Sequence, residues 1–345
     1  MDLTSLAKKH EKTLRMNDFY KVALEGATYK DQLRGIPFLQ AYTACFFNAT
    51  LFDKAGVSYP PTDWADKTWT WEKMIETAKK LTRDVNGDGR IDEYGVVETR
   101  DIFELAWGWG GDMFPKESYI SGPPTKVALD DQKNYKALVT ALQNKADLTY
   151  KHKVSPTPAQ LQVIEQMGPV LKTGKVGMVM SGDWAIWQPL PKNFKWGIAA
   201  VPYSHPERKV CLYTDPMEIS SKTKHPEEVW EFVQYLVSDE VQKIFGQRTG
   251  RIVSRPSLRG MYIDHISPYV VNTKEQLDQV LDGAFTYAQE DAEHTIFGFY
   301  KLQSIWNAEI DPLWLGKKSA KEVVDTMIPK LNSAIKENLE SLRKK

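Results

Sequence analysis

The sequence predicts a mixed α/β chain folded as two lobes, and three observations carry that expectation. At 345 residues it exceeds what one ordinary hydrophobic core serves. Amphipathic helical segments alternate with short apolar runs of strand length, the pattern of layered helix-and-sheet architecture. No repeat, low-complexity tract or long flexible linker separates two halves, so the chain is expected to pass between lobes through extended strands, and such crossings act as hinges.

The elements follow in order. Leu33 to Phe38 and Thr43 to Phe47 read as strands. Behind Thr70, a side chain suited to an N-cap, Trp71, Met74, Ile75, Ala78 and Leu81 recur at helical spacing. A tight Gly174-Lys175 turn feeds the apolar strand Val176 to Met180, which stops at Ser181-Gly182-Asp183 and displays Trp184 at its end. Trp196 to Val201 and Met217 to Ser220 are further strands. Pro226 opens a helix whose buried face is expected from Val229, Phe232, Val233 and Leu236. Ser319 with Glu322 forms a capping box for a long amphipathic helix through Val324, Met327, Ile328, Leu331, Ile335 and Leu339.

Charge and composition narrow the function. Lys plus Arg equals Asp plus Glu at 45 each, so no bulk field favours nucleic acid or an anionic membrane. Eleven tryptophans, with 15 Tyr and 13 Phe, exceed what two cores of this size require, which points to aromatic surface reserved for a ligand. An indole at a strand end has two readings: a core residue, or a flat platform for the apolar C–H face of a sugar ring. Cys45 and Cys211 fit no metal spacing and read as small buried hydrophobes. No apolar run approaches the roughly 20 residues that span a bilayer, and the first residues lack the hydrophobic stretch of a secretory signal.

Two chemical readings need weighing. Asp84, Asn86, Asp88 and Asp92 imitate the oxygen ligands of a calcium loop, with a Gly at its sixth position, but the bidentate acid required at the twelfth is Gly95. The alternative is an Asx-rich turn with no cofactor at all. A glycan-cleaving enzyme would use two carboxylates, and Glu98, Glu104, Asp183 and Asp215 are candidates. Yet no nucleophile elbow, zinc helix, phosphate loop or dinucleotide turn is present, and the six histidines are dispersed.

An ordered set of motifs then carries a resemblance. Gly35-Ile-Pro-Phe, Phe47-Asn-Ala-Thr-Leu-Phe-Asp-Lys-Ala-Gly-Val, Pro60-Pro-Thr-Asp-Trp, Trp109-Gly-Gly-Asp, Gly174-Lys-Val-Gly-Met-Val-Met-Ser-Gly-Asp-Trp, Ile198-Ala-Ala-Val-Pro and the stretch from Ile219 to Phe232 are similar to family 1 extracellular solute-binding proteins, the sugar receptors of ABC importers. The resemblance covers essentially residues 17 to 345.

What it implies is a periplasmic binding protein type II fold, two-lobed, with a ligand in the cleft between lobes. Members begin with a signal peptide, often a lipoprotein one, and then the opening strands and helices of the first lobe. This chain matches only from near the end of that part, so the first lobe is expected to be incomplete at its N-terminus. On this basis residues 1–40 with 214–258 are the remnant of lobe one, and 41–213 with 259–345 are lobe two, with hinges near Gln40 to Tyr42 and Val210 to Thr214. The resemblance places ligand contacts at Trp107, Trp109, Asp183 and Trp184, with Tyr42, Tyr213 and Asp215 at the crossings and Phe299 and Tyr300 as a further aromatic wall. Paired indoles would sandwich one sugar ring, and an Asp would accept two hydroxyl bonds. Arg248 and Arg251 read as solvated surface charge, a uronate ligand being the alternative. The implied protein is a non-catalytic monomer working with permease subunits, outside the bacterial cytoplasm and held to the membrane only by a lipid anchor absent from this chain. The competing readings are the secreted glycan-cleaving enzyme and a shortened receptor that signals to a membrane sensor.

Overall fold

The computed structural model describes residues 1–187 and 194–343. Its organising element is a single 13-residue strand. A two-stranded hairpin, β1 (Thr28–Tyr29) and β2 (Gln32–Leu33), leads into β3 (Gly35–Phe47), every residue of which is buried. The remaining strands are β4 (Tyr94–Glu98), β5 (Val176–Gly182), β6 (Gly197–Ala199), β7 (Val210–Glu218), β8 (Ile252–Val253) and β9 (Ala288–Glu290).

β3 changes partners halfway along. Its first part pairs antiparallel with β7, from Gly35 opposite Glu218 to Tyr42 opposite Leu212, and also with β8. Its second part, Thr43 to Phe47, pairs antiparallel with β5 and, over Cys45 to Phe47, with β6. β4 and β9 extend the sheet in parallel with β5 and β7 respectively. The separate strands expected at Leu33 to Phe38 and Thr43 to Phe47 are therefore one. Residues 39–42 between the two expected strands continue the run, and the polar one among them, Gln40, is fully buried with its side-chain amide donating to Ser254 Oγ at 2.8 Å. A register shift between Pro37 and Leu39 absorbs the missing Pro37 N–H.

The helices form where local chemistry directs. Thr70 Oγ1 accepts from Lys73 N at 3.2 Å and opens helix Trp71–Leu81, whose buried residues include all five expected apolar positions. Gly174, at φ 71°, makes the turn into β5 without a Cβ penalty. Ser319 and Glu322 make the capping box of helix Ala320–Arg343, with Ser319 N donating to Glu322 Oε2 at 2.8 Å. Helix Pro226–Leu236 departs from expectation. It buries Trp230 and Val233 and leaves Phe232 57% exposed, because Trp230 takes the core-facing position and its indole N–H reaches His10 Nδ1 at 3.1 Å. The Trp230 indole is larger than the Phe232 ring and carries more apolar area into the core.

Three hydrophobic clusters hold the chain. One joins Leu3, Leu14, Phe19, Ile36 and Phe38 to Trp230, Val233 and Leu258. A second surrounds the far half of β3 with Phe46, Phe47, Trp64, Trp69, Met74, Met178 and Ile198. A third is helical, built from Ile102 to Ala146 and Ala292 to Ile335, with Trp107, Phe114, Phe299 and Trp306 inside it. Cys45 and Cys211 are buried free thiols. Among the described residues, no helix is long and apolar enough to cross a membrane.

Candidate functional site

β5 ends where the chain must turn, and that ending shapes the site. Gly182 closes the strand, Asp183 starts a 3-10 turn through Ile186, and the Trp184 indole folds back over Gly182. A Cβ at Gly182 would lie 2.1 Å from the Trp184 ring, so glycine is what allows the indole this position. Trp184 is 43% exposed. Tyr213, from β7, stands edge-on to it with ring centroids 4.8 Å apart, and Trp187 is also edge-on, at 6.3 Å. Trp187 in turn carries the Arg251 guanidinium 4.0 Å above its ring.

Trp184 and Tyr213 border a cavity of about 230 Å³ whose wall is otherwise largely polar. Arg100 lies there in a bidentate pair with Glu98, Nε to Oε1 at 2.9 Å and Nη2 to Oε2 at 2.7 Å, both side chains almost fully buried. Burial alone would disfavour the guanidinium charge, and the Glu98 and Glu104 carboxylates more than offset it, so its proton is held more tightly than usual. Asp101 caps helix Ile102–Gly108 through Ile102 N at 2.5 Å and accepts from Gln303 Nε2 at 3.1 Å. Glu104 accepts from Cys211 N at 3.1 Å and from the Tyr213 hydroxyl at 3.3 Å. Asp291 caps the short helix Ala292–Thr295 through Glu293 N at 3.0 Å, and Glu293 accepts from the Tyr300 hydroxyl. Burial raises the carboxyl pKa of Asp101 and Glu104, and it pushes Asp291 up to about 7. Beside this wall His294 pairs with Glu290 at 3.3 Å, which raises the imidazole to about 9. Convergent hydrogen-bonding groups beside an open aromatic face suit a polyhydroxylated ligand.

The expected site residues divide. Trp184, Tyr213 and Phe299 line this cavity, Phe299 from within the helical core at 3% exposure. Tyr300 lies outside it, 67% exposed, reaching the site only through Glu293. Trp107 does not face the cavity. One helical turn from Phe103, it packs into the helical cluster against Phe103 and Tyr119 and is 1% exposed, so the expected Trp107 platform is corrected to a core residue. Trp109 is half-buried, edge-on to Trp71 at 6.0 Å, and forms no pair with Trp184. The nearest ring to Trp184 is Tyr213, with Trp187 farther off, and neither comes from the Trp-Gly-Trp loop. Tyr42 is buried, its hydroxyl 3.0 Å from that of Tyr262, so the crossing strand directs it into packing instead of the cavity. Asp183 is sealed at 0% exposure, and among the described residues neither of its oxygens has a hydrogen-bond partner; burial pushes its pKa up to about 7. Asp215 is engaged by Arg251 at 2.6 Å.

The loop at Asp84 carries a run of Asx-type hydrogen bonds: Asp84 accepts from Gly87 N and Gly89 N, Asn86 from Asp88 N, Asp88 from Arg90 N, and Asp92 from Val85 N and Asn86 N, which shapes the turn and leaves each carboxylate further acceptor positions. Among the described residues there is no group of three or more His, Cys, Asp or Glu side chains set to hold a metal.

Sequence reasoning missed Asp101, Asp291, Glu293 and Gln303, and it weighed Glu104 only as an enzyme's carboxylate. The first two carried a signal: an Asp directly before a helical run is an N-cap, and a cap beside a cleft brings its carboxyl there.

The profile of the bacterial extracellular solute-binding protein family matches residues 1–243. This chain belongs to that family. Among curated relatives, the solute-binding protein is 25% identical over 326 residues to binding proteins of Brucella abortus and Brucella suis, covering 91% of this chain and 69% of theirs. Solved structures share its fold, a two-lobed type II periplasmic binding protein architecture. An ABC substrate-binding protein from Listeria monocytogenes in complex with cycloalternan superposes with a TM-score of 0.75 at 20% identity, over 97% of this chain and 80% of that one. The maltose-bound MalE3 of T. maritima gives 0.69 at 18% identity, with the same two coverages.

Proposed function

We propose that this solute-binding protein is the extracytoplasmic sugar receptor of an ABC importer, holding its ligand at the Trp184–Tyr213 cavity and delivering it to permease subunits. One observation carries the reading: a large, half-exposed indole is held at the edge of a cavity that otherwise offers carboxylate, guanidinium, amide and hydroxyl groups. Core tryptophans do not leave 43% of their surface open beside unfilled space. The saccharides in the similar Listeria and T. maritima structures support the same ligand class.

The lobes in this proposal are residues 1–40 with 214–258 and residues 41–213 with 259–345. β3 and β7 are the crossings, and closure about them is the signal read by the permease. Trp184 and Tyr213 contact the sugar directly, with Phe299 behind them. Calorimetric titration with a panel of mono- and oligosaccharides tests the reading. Binding of at least one saccharide, lost on Trp184→Ala, is the expected result. Absence of binding across the panel, or release of reducing sugar on incubation, would overturn it.

A further inference from the structure

The charge around the cavity is lopsided. Four carboxyl groups line it, those of Asp101, Glu104, Asp291 and Glu293, against one guanidinium, that of Arg100. That guanidinium is already neutralised by Glu98, which grips it with both oxygens. Two further cations stand near, Lys145, which donates to the Arg100 carbonyl and lies over the Trp314 ring, and His294, bonded to Glu290, while Arg251 is paired with Asp215. The compensation is therefore partial: Lys145 acts on Asp101, Arg100 on Glu104 and His294 on Asp291, but among the described residues these three cations face the four lining carboxyls with Glu98 and Glu290 behind them.

One of these acids is aimed into the space. Asp291 is 2% exposed; its Oδ1 caps Glu293 N, and its Oδ2 has no hydrogen-bond partner among the described residues although the residue lines the cavity. Glu293 likewise uses Oε1 for the Tyr300 hydroxyl and leaves Oε2 without one. Trp184, Tyr213 and Phe299 line the same cavity. Carboxylates and aromatic rings around one cavity form the environment that selects an ammonium group, which gains from ion pairing and from the ring quadrupole together.

We propose that the ligand is an amino sugar, a saccharide bearing a free protonated amine that seats between the Asp291–Glu293 carboxylates and the Trp184–Tyr213 aromatics. This deepens the sugar-receptor reading and rests on it. A neutral sugar satisfies hydroxyl-to-carboxylate bonds but leaves the acids to be neutralised by protonation. A uronate adds a fifth negative charge. An amine adds a positive charge and reduces the excess. The raised carboxyl pKa values of Asp101, Glu104 and Asp291 agree, since burial is their leading cause and the Lys145, Arg100 and His294 charges nearby offset it only in part.

The test is calorimetry of the full chain against glucosamine, galactosamine and short glucosamine oligomers, each beside its N-acetylated and its neutral hydroxyl counterpart. The free amine is expected to bind at least about tenfold more tightly than either counterpart, with the advantage shrinking as salt rises. Binding near neutral pH should also release protons, seen as a dependence of the heat on buffer ionisation, because the ammonium favours ionised Asp291. Asp291→Asn and, as a second variant on a half-buried residue, Glu293→Gln should each narrow the amine-to-neutral affinity ratio. Equal or tighter binding of the neutral or N-acetylated form would overturn the amino-sugar assignment and leave the receptor intact. Absence of binding by every saccharide would overturn the receptor reading as well.

Discussion

Asp183 directly precedes the exposed indole in the chain, and replacing it with asparagine isolates what a buried, largely uncompensated carboxyl does to this fold. The residue is fully buried, without a hydrogen-bond partner among the described residues, and burial raises its pKa from 3.8 to about 7; the nearby Trp187 indole and Arg251 guanidinium offset only part of that. A shift of that size corresponds to about 4 kcal/mol, at about 1.4 kcal/mol per pKa unit. The sign follows from linkage. The folded protein holds the proton more tightly than the unfolded chain, so the stabilisation is fully present below the ordinary carboxyl value and is lost as pH rises through about 7. Urea denaturation of wild type and Asp183→Asn at pH 5, 6, 7 and 8 measures it. Because other buried carboxyls titrate in the same range, the informative quantity is the difference between the two proteins. That difference should move by about 3 kcal/mol in favour of the variant between pH 5 and pH 8. The asparagine amide remains buried and costs about 1–3 kcal/mol at every pH, which displaces the curve without changing its slope. Parallel pH profiles would refute the reasoning and show that Asp183 titrates normally in the folded state.

Further outcomes are expected at neighbouring positions. Trp184→Ala should weaken saccharide binding by about 1–3 kcal/mol in calorimetry while leaving the thermal midpoint nearly unchanged; a collapsed melting transition would make the indole a core element. Gly182→Ala should displace the indole, whose ring occupies the place of the added methyl at 2.1 Å, and so reduce affinity toward the Trp184→Ala level. Unchanged ligand-induced tryptophan fluorescence in that variant would show that the ring need not move. Glu98→Gln should destabilise the fold by about 3–5 kcal/mol at neutral pH, since it strands the buried Arg100 charge, whereas replacing both partners with apolar residues should cost much less. Denaturation of the single and double variants compares the two.

Much of the architecture was legible because it rests on local chemistry. The Thr70 cap, the Gly174 turn and the Ser319–Glu322 box each satisfy backbone groups within a few residues, so their pattern survives in one dimension. The continuity of β3 was not legible, because burial of Gln40 depends on Ser254, 214 residues away. The same division runs through the site. Trp184 could be singled out because strand and turn announce the end of β5, whereas the other indole, Trp107, sits on a helix whose buried face is set by a core assembled from Ala292 to Ile335. Asp291 and Glu293 owe their place to β9 lying against β7, a parallel pairing with no short-range signature.

The partner exchange along β3 also sets the tolerance of this gene to insertion and deletion. In a strand, removing one residue flips all those beyond it to the opposite face. Here such a slip would misplace side chains against β7 and β8 on one side of Tyr42 or against β5 and β6 on the other, and no loop intervenes to absorb it. A library of single-codon deletions should therefore show a barren stretch over Gly35–Phe47 broken only near the Pro37 irregularity, while the exposed turn at Asn86 to Arg90 accepts changes in length.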